Sequence, residues 1–328
     1  MAGIRDVAQK AGVGATTVSR FLNNSGYVSQ ESADKIKKAI DELQYTPNEL
    51  ARNLFHKKSG IVAILVPDVA HPFFGEFVRA AEMELYDCGF KTMICSTVQE
   101  RKSEAAYVEM LERHIVDGII TGVHTVDAQV YLATDKPIVA LDRILGGKIP
   151  DVHADHRLGG RLAAQCLLRA GCKNVLQFQG ALSVQSTAHL RHETFCAVMQ
   201  ENGATVHTRQ LEWNRFDQSY FKQVVHETLE KHPTIDGVFG ADMLAIASMQ
   251  EVLRHGKRVP RDVKVVAYDG TFVTDYAIPS MTAVMQPIRL LAETCVHILV
   301  ERIEDPDELI GESVLPVRLV ERTSTQPG

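Results

Sequence analysis

The sequence has 328 residues, of which 45% are hydrophobic and 23% charged, and this length and composition predict two or three globular domains. No run approaches 18 apolar residues and the first residues lack a basic-then-apolar pattern, so we expect neither membrane insertion nor export, but a cytoplasmic protein. The six cysteines are scattered without a C-x-x-C pair, which favours reduced thiols over disulfides or zinc.

The net charge of −6 is unevenly distributed along the chain. Residues 1–58 carry nine Lys or Arg against six Asp or Glu, whereas the remainder carries 26 against 35. A basic N-terminal part on an acidic body suits a nucleic-acid contact confined to one end. A charge of +3 is common on small domains, so support for nucleic-acid binding has to come from the motifs in residues 1–58.

Three short helices are predicted in this basic part. Apolar residues recur at helical spacing: Ile4, Val7, Ala8 and Ala11 in the first helix, Val18 and Phe21 or Leu22 in the second, and Ala33, Ile36, Ile40 and Leu43 in the third. The glycine-containing turn 12–14 separates the first two helices, and Ser29 is placed to cap the third. Two short helices joined by such a turn form the helix-turn-helix pattern, whose second helix enters the DNA major groove.

The same part resembles the DNA-binding head of the lactose-repressor (LacI/GalR) family. The resemblance rests on spaced motifs in the family's order: Ile4-Arg5-Asp6-Val7-Ala8, Ala11-Gly12-Val13, Thr17-Val18-Ser19-Arg20, Val28-Ser29, Tyr45-Thr46-Pro47-Asn48 and Leu50-Ala51-Arg52. It implies a helix-turn-helix domain over residues 1–47, followed by a hinge helix and linker over 48–59.

On this resemblance Ala15, Thr16 and Arg20 fall on base-reading positions. Arg20 can donate two hydrogen bonds to a guanine edge and Thr16 can meet a thymine methyl or a base acceptor, whereas Ala15 is equally explained by helix propensity. Three further polar residues suit phosphate contacts: Thr17, Ser19 and Asn23. Gly14 departs from the family, which usually has a serine or similar capping residue there.

The resemblance assigns Asn48, Ala51 and Leu54 to the hinge helix. Asn48 can cap a helix of about nine residues, which is too short to be stable alone and should order only against DNA and a dimer mate. Leu54 matches the family's leucine that wedges open a base step in the minor groove. The alternative is a plain linker that happens to contain an apolar residue.

From residue 60 onwards β-rich runs alternate with helical stretches. Strands are predicted at 61–66, 91–95, 118–121, 138–141, 175–178, 237–239 and 263–268, and helices between them at 75–88, 157–170, 189–201 and 242–255. This alternation predicts an α/β body of two doubly wound parallel-sheet lobes. We place the first lobe at about 60–154 and 287–312 and the second at about 155–286 and 313–328.

Polar and aromatic side chains follow several predicted strands, where open α/β sheets bind ligands. The motifs are His71-Pro72-Phe73-Phe74, Leu141-Asp142-Arg143, Tyr268-Asp269-Gly270-Thr271 and Gln286-Pro287, with Arg191 near the start of its helix. Polar groups for hydroxyls and rings for apolar sugar faces are what a sugar pocket needs.

These motifs resemble the effector core of the same family, which is similar to periplasmic sugar-binding proteins. The resemblance implies that Asp142, Arg191, Asp269 and Gln286 bond sugar hydroxyls and that Phe73, Phe74 and Trp213 wall the site, with His71 and Arg143 as second-tier ligands. The sucrose-operon-repressor branch is the most similar, through Val116-Asp117-Gly118-Ile119-Ile120, Leu141-Asp142-Arg143 and Tyr268-Asp269-Gly270-Thr271.

Several of these residues have plainer interpretations. Asp142 and Asp269 are also placed to cap turns, and Phe73 or Phe74 suits the core. Two departures from the family concern the ligand: Ala241-Asp242 stands where many members have Asn-Asp, and Arg191-His192-Glu193-Thr194-Phe195 lacks the usual Gly-Phe. We expect Asp242 to cap its helix rather than bind ligand. His153 and His156 lack ligand-spaced partners in sequence, so no metal is expected.

Three functions compete. An enzyme is disfavoured because no G-x-G-x-x-G follows the first strand, no P-loop and no nucleophile triad is evident, and no cofactor is expected. An exported sugar-binding protein would have no use for the basic head. We therefore predict a homodimeric repressor that binds pseudo-palindromic operator DNA under control of sucrose, fructose or a phosphate of either. A global, activating or other-sugar regulator stays open, as does induction versus co-repression.

Overall fold

The computed structural model describes residues 2–23, 25–45, 58–97, 104–123, 128–213, 215–305 and 311–326. The chain divides into two compact units, Met1–Ser59 and Gly60–Gly328. The hinge predictions at Asn48, Ala51 and Leu54 lie outside the described residues. Among the described residues, no helix is both long and apolar enough to cross a membrane.

The first unit contains three helices within its described residues: α1 Ile4–Ala11, α2 Ala15–Asn23 and α3 Gln30–Leu43. Gly12 ends α1 in the left-handed conformation (φ 68°), which a residue without a Cβ adopts without strain. Ser29 caps α3 as predicted, because its hydroxyl accepts from the amide of Ser32 at 3.3 Å. A small core of Val7, Ala8, Ala11, Val18, Ile36 and Ala39 holds the helices together.

The second unit has two lobes, each built on a sheet. The first lobe begins with β1 Ile61–Val66, α4 Pro72–Asp87, β2 Lys91–Ser96, α5 Glu104–Glu112, β3 Gly118–Thr121, α6 Gln129–Leu132, β4 Ile138–Leu141 and β5 Asp151–Ala154. With β11 (Ser313–Leu315) from the end of the chain, its strands pair in the order β11-β5-β4-β3-β1-β2, and those pairings are parallel. Apolar clusters cover both faces of this sheet, which explains the continuous apolar run of β1.

The chain then crosses to the second lobe. This lobe contains α7 His156–Arg169, β6 Asn174–Gln179, α8 His189–Glu201, β7 Thr205–Gln210, α9 Gln218–Lys231, β8 Gly237–Ala241, α10 Asp242–Arg254, β9 Lys264–Asp269, α11 Val273–Tyr276 and β10 Thr282–Met285. With β12 (Arg318–Val320) from the end of the chain, the strands pair in the order β12-β10-β9-β8-β6-β7. The sequence therefore predicted the doubly wound architecture correctly.

The end of the chain differs from the predicted lobe boundary. The last elements are α12 Ile288–Glu304, β11 Ser313–Leu315 and β12 Arg318–Val320. β11 pairs with β5 in the first sheet, so residues 313–315 do not belong to the second lobe, where we had placed them. The proline at 316 interrupts the apolar run, and β12 beyond it pairs antiparallel with β10 in the second sheet.

Candidate functional site

A cleft between the two lobes of the body has a cavity volume of about 190 Å³. Its polar wall includes Asp142, Asp269 and Gln286, which follow the carboxyl ends of parallel strands from both sheets, where open α/β folds bind ligands. Eight of the nine predicted ligand residues line it: His71, Phe73, Phe74, Asp142, Arg191, Trp213, Asp269 and Gln286. Arg143 does not.

Asp142 follows β4 with a left-handed backbone (φ 53°) and is buried. One carboxylate oxygen, Oδ1, accepts a hydrogen bond at 2.8 Å from Nε2 of His156, the first residue of α7. Burial alone would raise the pKa of Asp142, but the proton donated by His156 and the charge of Arg191 outweigh it, so the pKa lies below its usual range. Asp142 is therefore ionised at neutral pH.

His156 joins the two lobes behind Asp142. Because its Nε2 faces a carboxylate and must donate, its Nδ1 accepts from the hydroxyl of Tyr268 at 2.8 Å. Burial lowers the pKa of His156, which keeps the imidazole neutral. The sequence identified His156 only as an unconvincing metal ligand; its role as a support for Asp142 depends on a non-local contact.

Arg191 lies in the first turn of α8. Its guanidinium stacks 4.3 Å from the ring centre of Tyr268, and its NH1 lies 3.9 Å from Oδ1 of Asp269. The helix reaches this place because α7 has Gly160 at the crossing, where an added Cβ would lie 2.1 Å from the Arg191 carbonyl oxygen. Arg191 thus enters the cleft with its charge already balanced.

Asp269 and Gln286 form a buried pair at the ends of β9 and β10. The Gln286 amide donates from Nε2 to Asp269 Oδ1 at 2.8 Å. Burial raises the pKa of Asp269 to about 6, although Arg191 and Gln286 both favour the ionised form. The other amide atom, Gln286 Oε1, is buried without a hydrogen-bond partner among the described residues.

Asp242 does not cap α10 as expected. Ala241 occupies the N-cap position, and the Asp242 carboxylate instead accepts from the amides of Gly270 (3.1 Å) and Thr271 (2.8 Å) and from the Thr271 hydroxyl. Burial and the neighbouring Asp269 raise its pKa well above the usual range. Asp242 therefore braces the turn that carries Asp269, without lining the cleft itself.

Aromatic rings form the apolar wall. Phe73 and Phe74, from the first turn of α4, pack edge to face at 5.2 Å, and both line the cleft although they also belong to the core of the first lobe. Phe216 was missed from the sequence, yet its ring lies 6.2 Å from Phe74 and 5.6 Å from His71. Its position three residues after Trp213 is a weak signal that no motif marks.

The prediction that Arg143 contacts the ligand is wrong. Its guanidinium points into the first lobe, where NH1 donates to Glu104 Oε2 at 3.0 Å and to the Val123 carbonyl at 2.7 Å. The group also lies 5.0 Å from the ring centre of Tyr131. These contacts bury Arg143 in the first lobe, so its side chain does not reach the cleft that Asp142 lines.

His153 has carboxylate neighbours that its sequence spacing did not reveal. One ligand atom each from Asp151, His153 and Glu312 lies within 4.8 Å of the others. The His153 ring nevertheless has oxygen partners on both nitrogens, the Ala154 carbonyl at 2.8 Å and Glu312 Oε1 at 2.7 Å. Both nitrogens therefore donate, and hydrogen bonds within the chain account for this cluster.

The first unit presents a second candidate site on α2. Ala15, Thr16 and Arg20 are exposed, and no described residue forms an ion pair with Arg20. Three predicted phosphate-contacting residues are half-buried on the same helix: Thr17, Ser19 and Asn23. Asn23 Nδ2 donates to Ser19 Oγ at 3.3 Å, so these two side chains support each other. The N-terminal turn of a second helix is where a helix-turn-helix reads bases.

Comparison with known proteins gives two family matches. Residues 3–48 match the family described as bacterial regulatory proteins, lacI family, and residues 164–325 match a periplasmic binding protein-like domain. The chain is 36% identical to the ribose operon repressor of Halalkalibacterium halodurans, over all of this chain and 98% of that one. It is 35% identical to the sucrose operon repressor of Pediococcus pentosaceus, over 97% of each.

A solved structure matches over the full length as well. The lac repressor dimer bound to operator and an anti-inducer has a TM-score of 0.86 and 27% identity, and the match covers 99% of each chain. The relatives are repressors rather than enzymes.

Proposed function

Because the chain belongs to the LacI family of bacterial regulatory proteins, we propose that it represses a sugar-utilisation operon and that a small sugar in the cleft controls its operator affinity. The observation that carries this proposal is the combination of exposed predicted base-reading residues on α2 with a polar and aromatic cleft between the lobes of the body. The protein acts in the cytoplasm, where its operator lies.

Operator recognition is assigned to α2 and to the hinge that follows the head. Arg20 reads a guanine edge and Thr16 a thymine or base acceptor, while Thr17, Ser19 and Asn23 contact phosphates. Two heads of a homodimer read the half-sites of a pseudo-palindromic operator. The predicted leucine wedge at Leu54 completes the contact in the minor groove.

The cleft suits a sugar because both lobes supply polar groups and rings supply an apolar wall. Asp142 and His71 come from the first lobe, whereas Arg191, Asp269 and Gln286 come from the second. A ligand that bonds both sets favours one arrangement of the lobes. Operator affinity then changes by the coupling free energy between the two sites, typically about 1–3 kcal/mol.

The names of the relatives give two starting sugars. Ribose and sucrose operon repressors are nearly equally similar to this chain, at 36% and 35% identity. Sucrose and fructose, with their phosphates, were the candidates from the sequence, and ribose joins them.

The test is a DNA-binding titration with the full-length protein and promoter DNA from its own gene neighbourhood. We expect a specific complex at physiological salt whose affinity changes when an effector sugar is added. A purified, folded dimer that binds no such DNA above its affinity for random sequence would contradict the proposed function.

The hinge is tested separately with Leu54→Ala. Loss of the wedge should weaken operator binding while the affinity for effector stays unchanged, because the residues that line the cleft all belong to the second unit. Unchanged operator affinity would remove the wedge assignment but leave the reading helix.

A further inference from the structure

Two polar atoms in side chains that line the cleft are buried without hydrogen-bond partners among the described residues: Gln286 Oε1 and His71 Nδ1. The orientation of Gln286 is dictated by its neighbour, because the Asp269 carboxylate can only accept, so Nε2 faces it and Oε1 is left over. Burial lowers the pKa of His71 to about 4, so its ring is neutral and able to accept. An unpaired buried acceptor is destabilising, and a donor on the ligand relieves it.

The charges in the cleft are already balanced or negative. Arg191 lies 3.9 Å from Asp269, and Arg215 lies 3.0 Å from Glu212, so each lining arginine has a carboxylate partner. Asp142 adds a further negative charge. A phosphate dianion would therefore have to compete with a carboxylate for each arginine.

The helix N-termini near the cleft provide few backbone amides that could donate hydrogen bonds to an anion. At the start of α8 the amides of Ala188 and His189 donate to Ser186, and the amide of Leu190 donates to Thr187. The first residue of α4 is a proline, which has no N–H, and the first residue of α10 is the carboxylate-bearing Asp242. These ends are therefore satisfied or unsuited to phosphate, unlike a typical anion site.

The cavity is also small. Its volume of about 190 Å³ lies below the range of about 300–1,000 Å³ that is common for drug-sized ligands, which favours one sugar ring over two. The rings of Phe73, Phe74 and Phe216 close the apolar side, and Trp213 lines the same cleft.

We propose that the effector is a neutral, unphosphorylated monosaccharide whose hydroxyl groups donate to the Gln286 carbonyl, His71 and the carboxylates of Asp142 and Asp269. This inference rests on the proposed function, because it takes the cleft to be the effector site. Among the sequence-based candidates it favours fructose over sucrose and over any sugar phosphate, and it also admits ribose, which the relatives' names added.

Calorimetric titration of the full-length protein tests this with five probes: D-ribose, D-fructose, sucrose, ribose 5-phosphate and fructose 6-phosphate. We expect at least one neutral monosaccharide to bind about tenfold or more tightly than its phosphate and than sucrose. The proposal is overturned if a phosphate or sucrose binds tightest, or if none of the five binds.

A charge variant tests the reason for the selectivity. Asp269→Asn releases Arg191 from its partner, so we expect weaker binding of the neutral sugar and a ratio of affinities shifted towards the phosphate. Asp262→Asn is the matched control, because its exposed carboxylate pairs with Arg258 on the surface and does not line the cleft. If the ratio of the affinities for phosphate and neutral sugar is the same in Asp269→Asn as in Asp262→Asn, the charge argument is contradicted.

Since Asp269 is buried, its variant is checked for folding by circular dichroism, and Glu212→Gln repeats the test at an exposed pair. Arg215 then loses one of two carboxylate partners and keeps Asp217 at 3.4 Å, so the ratio should shift in the same direction by a smaller factor. If neither folded variant shifts the ratio, the charge argument is overturned. Operator binding without sugar is measured in parallel. Intact operator binding with a phosphate as the tightest ligand would overturn this inference alone, whereas absent operator binding would overturn the proposed function.

Discussion

The reading helix of the head and the cleft of the body present their polar side chains in opposite ways. On α2, Ala15, Thr16 and Arg20 are exposed and lie within two turns of one helix. In the cleft, Asp142, Asp269 and Gln286 are buried and come from the ends of different strands in both lobes. The exposed side chains of α2 are accessible to a DNA partner, whereas the cleft side chains are held by hydrogen bonds and ion pairs with other residues of the chain.

This difference predicts which substitutions affect only one contact to a partner and which also affect the interactions that hold the fold together. A change on an exposed helix face removes one contact to DNA and leaves the fold alone. A change in the cleft removes a contact to the ligand and also unbalances a buried charge or hydrogen bond.

The largest effect is expected from Arg191→Ala. It removes a donor to the ligand and leaves Asp269 without its cationic neighbour, so effector affinity should fall roughly 100-fold, equivalent to about 2.8 kcal/mol. Calorimetry with the effector and operator titration without it separate the two sites. Arg209→Ala is the control, since that arginine pairs with Glu227 away from the cleft. A full effector response in Arg191→Ala would contradict the site.

Arg20→Ala should produce a smaller effect at the other site. Loss of a bidentate base contact costs about 1–3 kcal/mol, and at the middle of that range operator affinity should fall about 30-fold while effector affinity is unchanged. Arg20→Lys should not restore it, because an ammonium cannot reproduce the guanidinium fork. Lys35→Ala, which removes an exposed pair with Glu31 on α3, serves as the control. Rescue by lysine would indicate a phosphate contact instead.

The pH dependence of effector binding should be weaker still. Burial raises the pKa of Asp269 from its ordinary 3.8 to about 6 in the folded protein, so its protonated form favours folding: this stabilising contribution is present below about pH 4 and is lost as pH rises through 6. In the proposed complex a ligand hydroxyl donates to Asp269, so ligand binding needs the ionised form of this carboxyl group. We expect effector affinity to fall by at most about tenfold per unit as pH drops below 6.

Asp269→Asn should flatten that profile. The groups that face Asp269 are Arg191, Gln286, Asp142 and Asp242, so a slope that persists in the variant would assign the titration to one of the other carboxylates. Calorimetry from pH 5 to pH 8 in buffers of matched ionic strength measures it.

The smallest effect is expected at the start of α2. Gly14 leaves the helix without a capping side chain, although its carbonyl accepts from the amides of Thr17 and Val18. Gly14→Ser should stabilise the helix by a few tenths of a kcal/mol. Hydrogen exchange of those two amides in the full-length protein should slow roughly twofold, with amides of α3 as the internal control. Faster exchange would mean that the serine does not cap.

The sequence by itself determined what depends on neighbouring residues. The α2 reading face follows from a helix and its turn, and the strands of the body follow from continuous apolar runs such as 61–66. Since the carboxyl ends of parallel strands share an edge, the sequence also placed Asp269 and Gln286 together. Asp142 lies at the end of a strand in the other sheet, and the packing of the two lobes brings it to the same cleft.

Only the tertiary structure decided what depends on distant partners. Arg143 does not reach the cleft because its guanidinium donates to Glu104 and to the Val123 carbonyl in the first lobe. Asp242 accepts from the amide of Gly270 instead of capping its helix. The transfer of 313–315 to the first sheet is likewise a pairing between remote strands. Buried polar groups need hydrogen-bond partners, and a residue nearby in sequence is often not positioned to provide one. The packing of distant elements therefore decides which partner each buried polar group has.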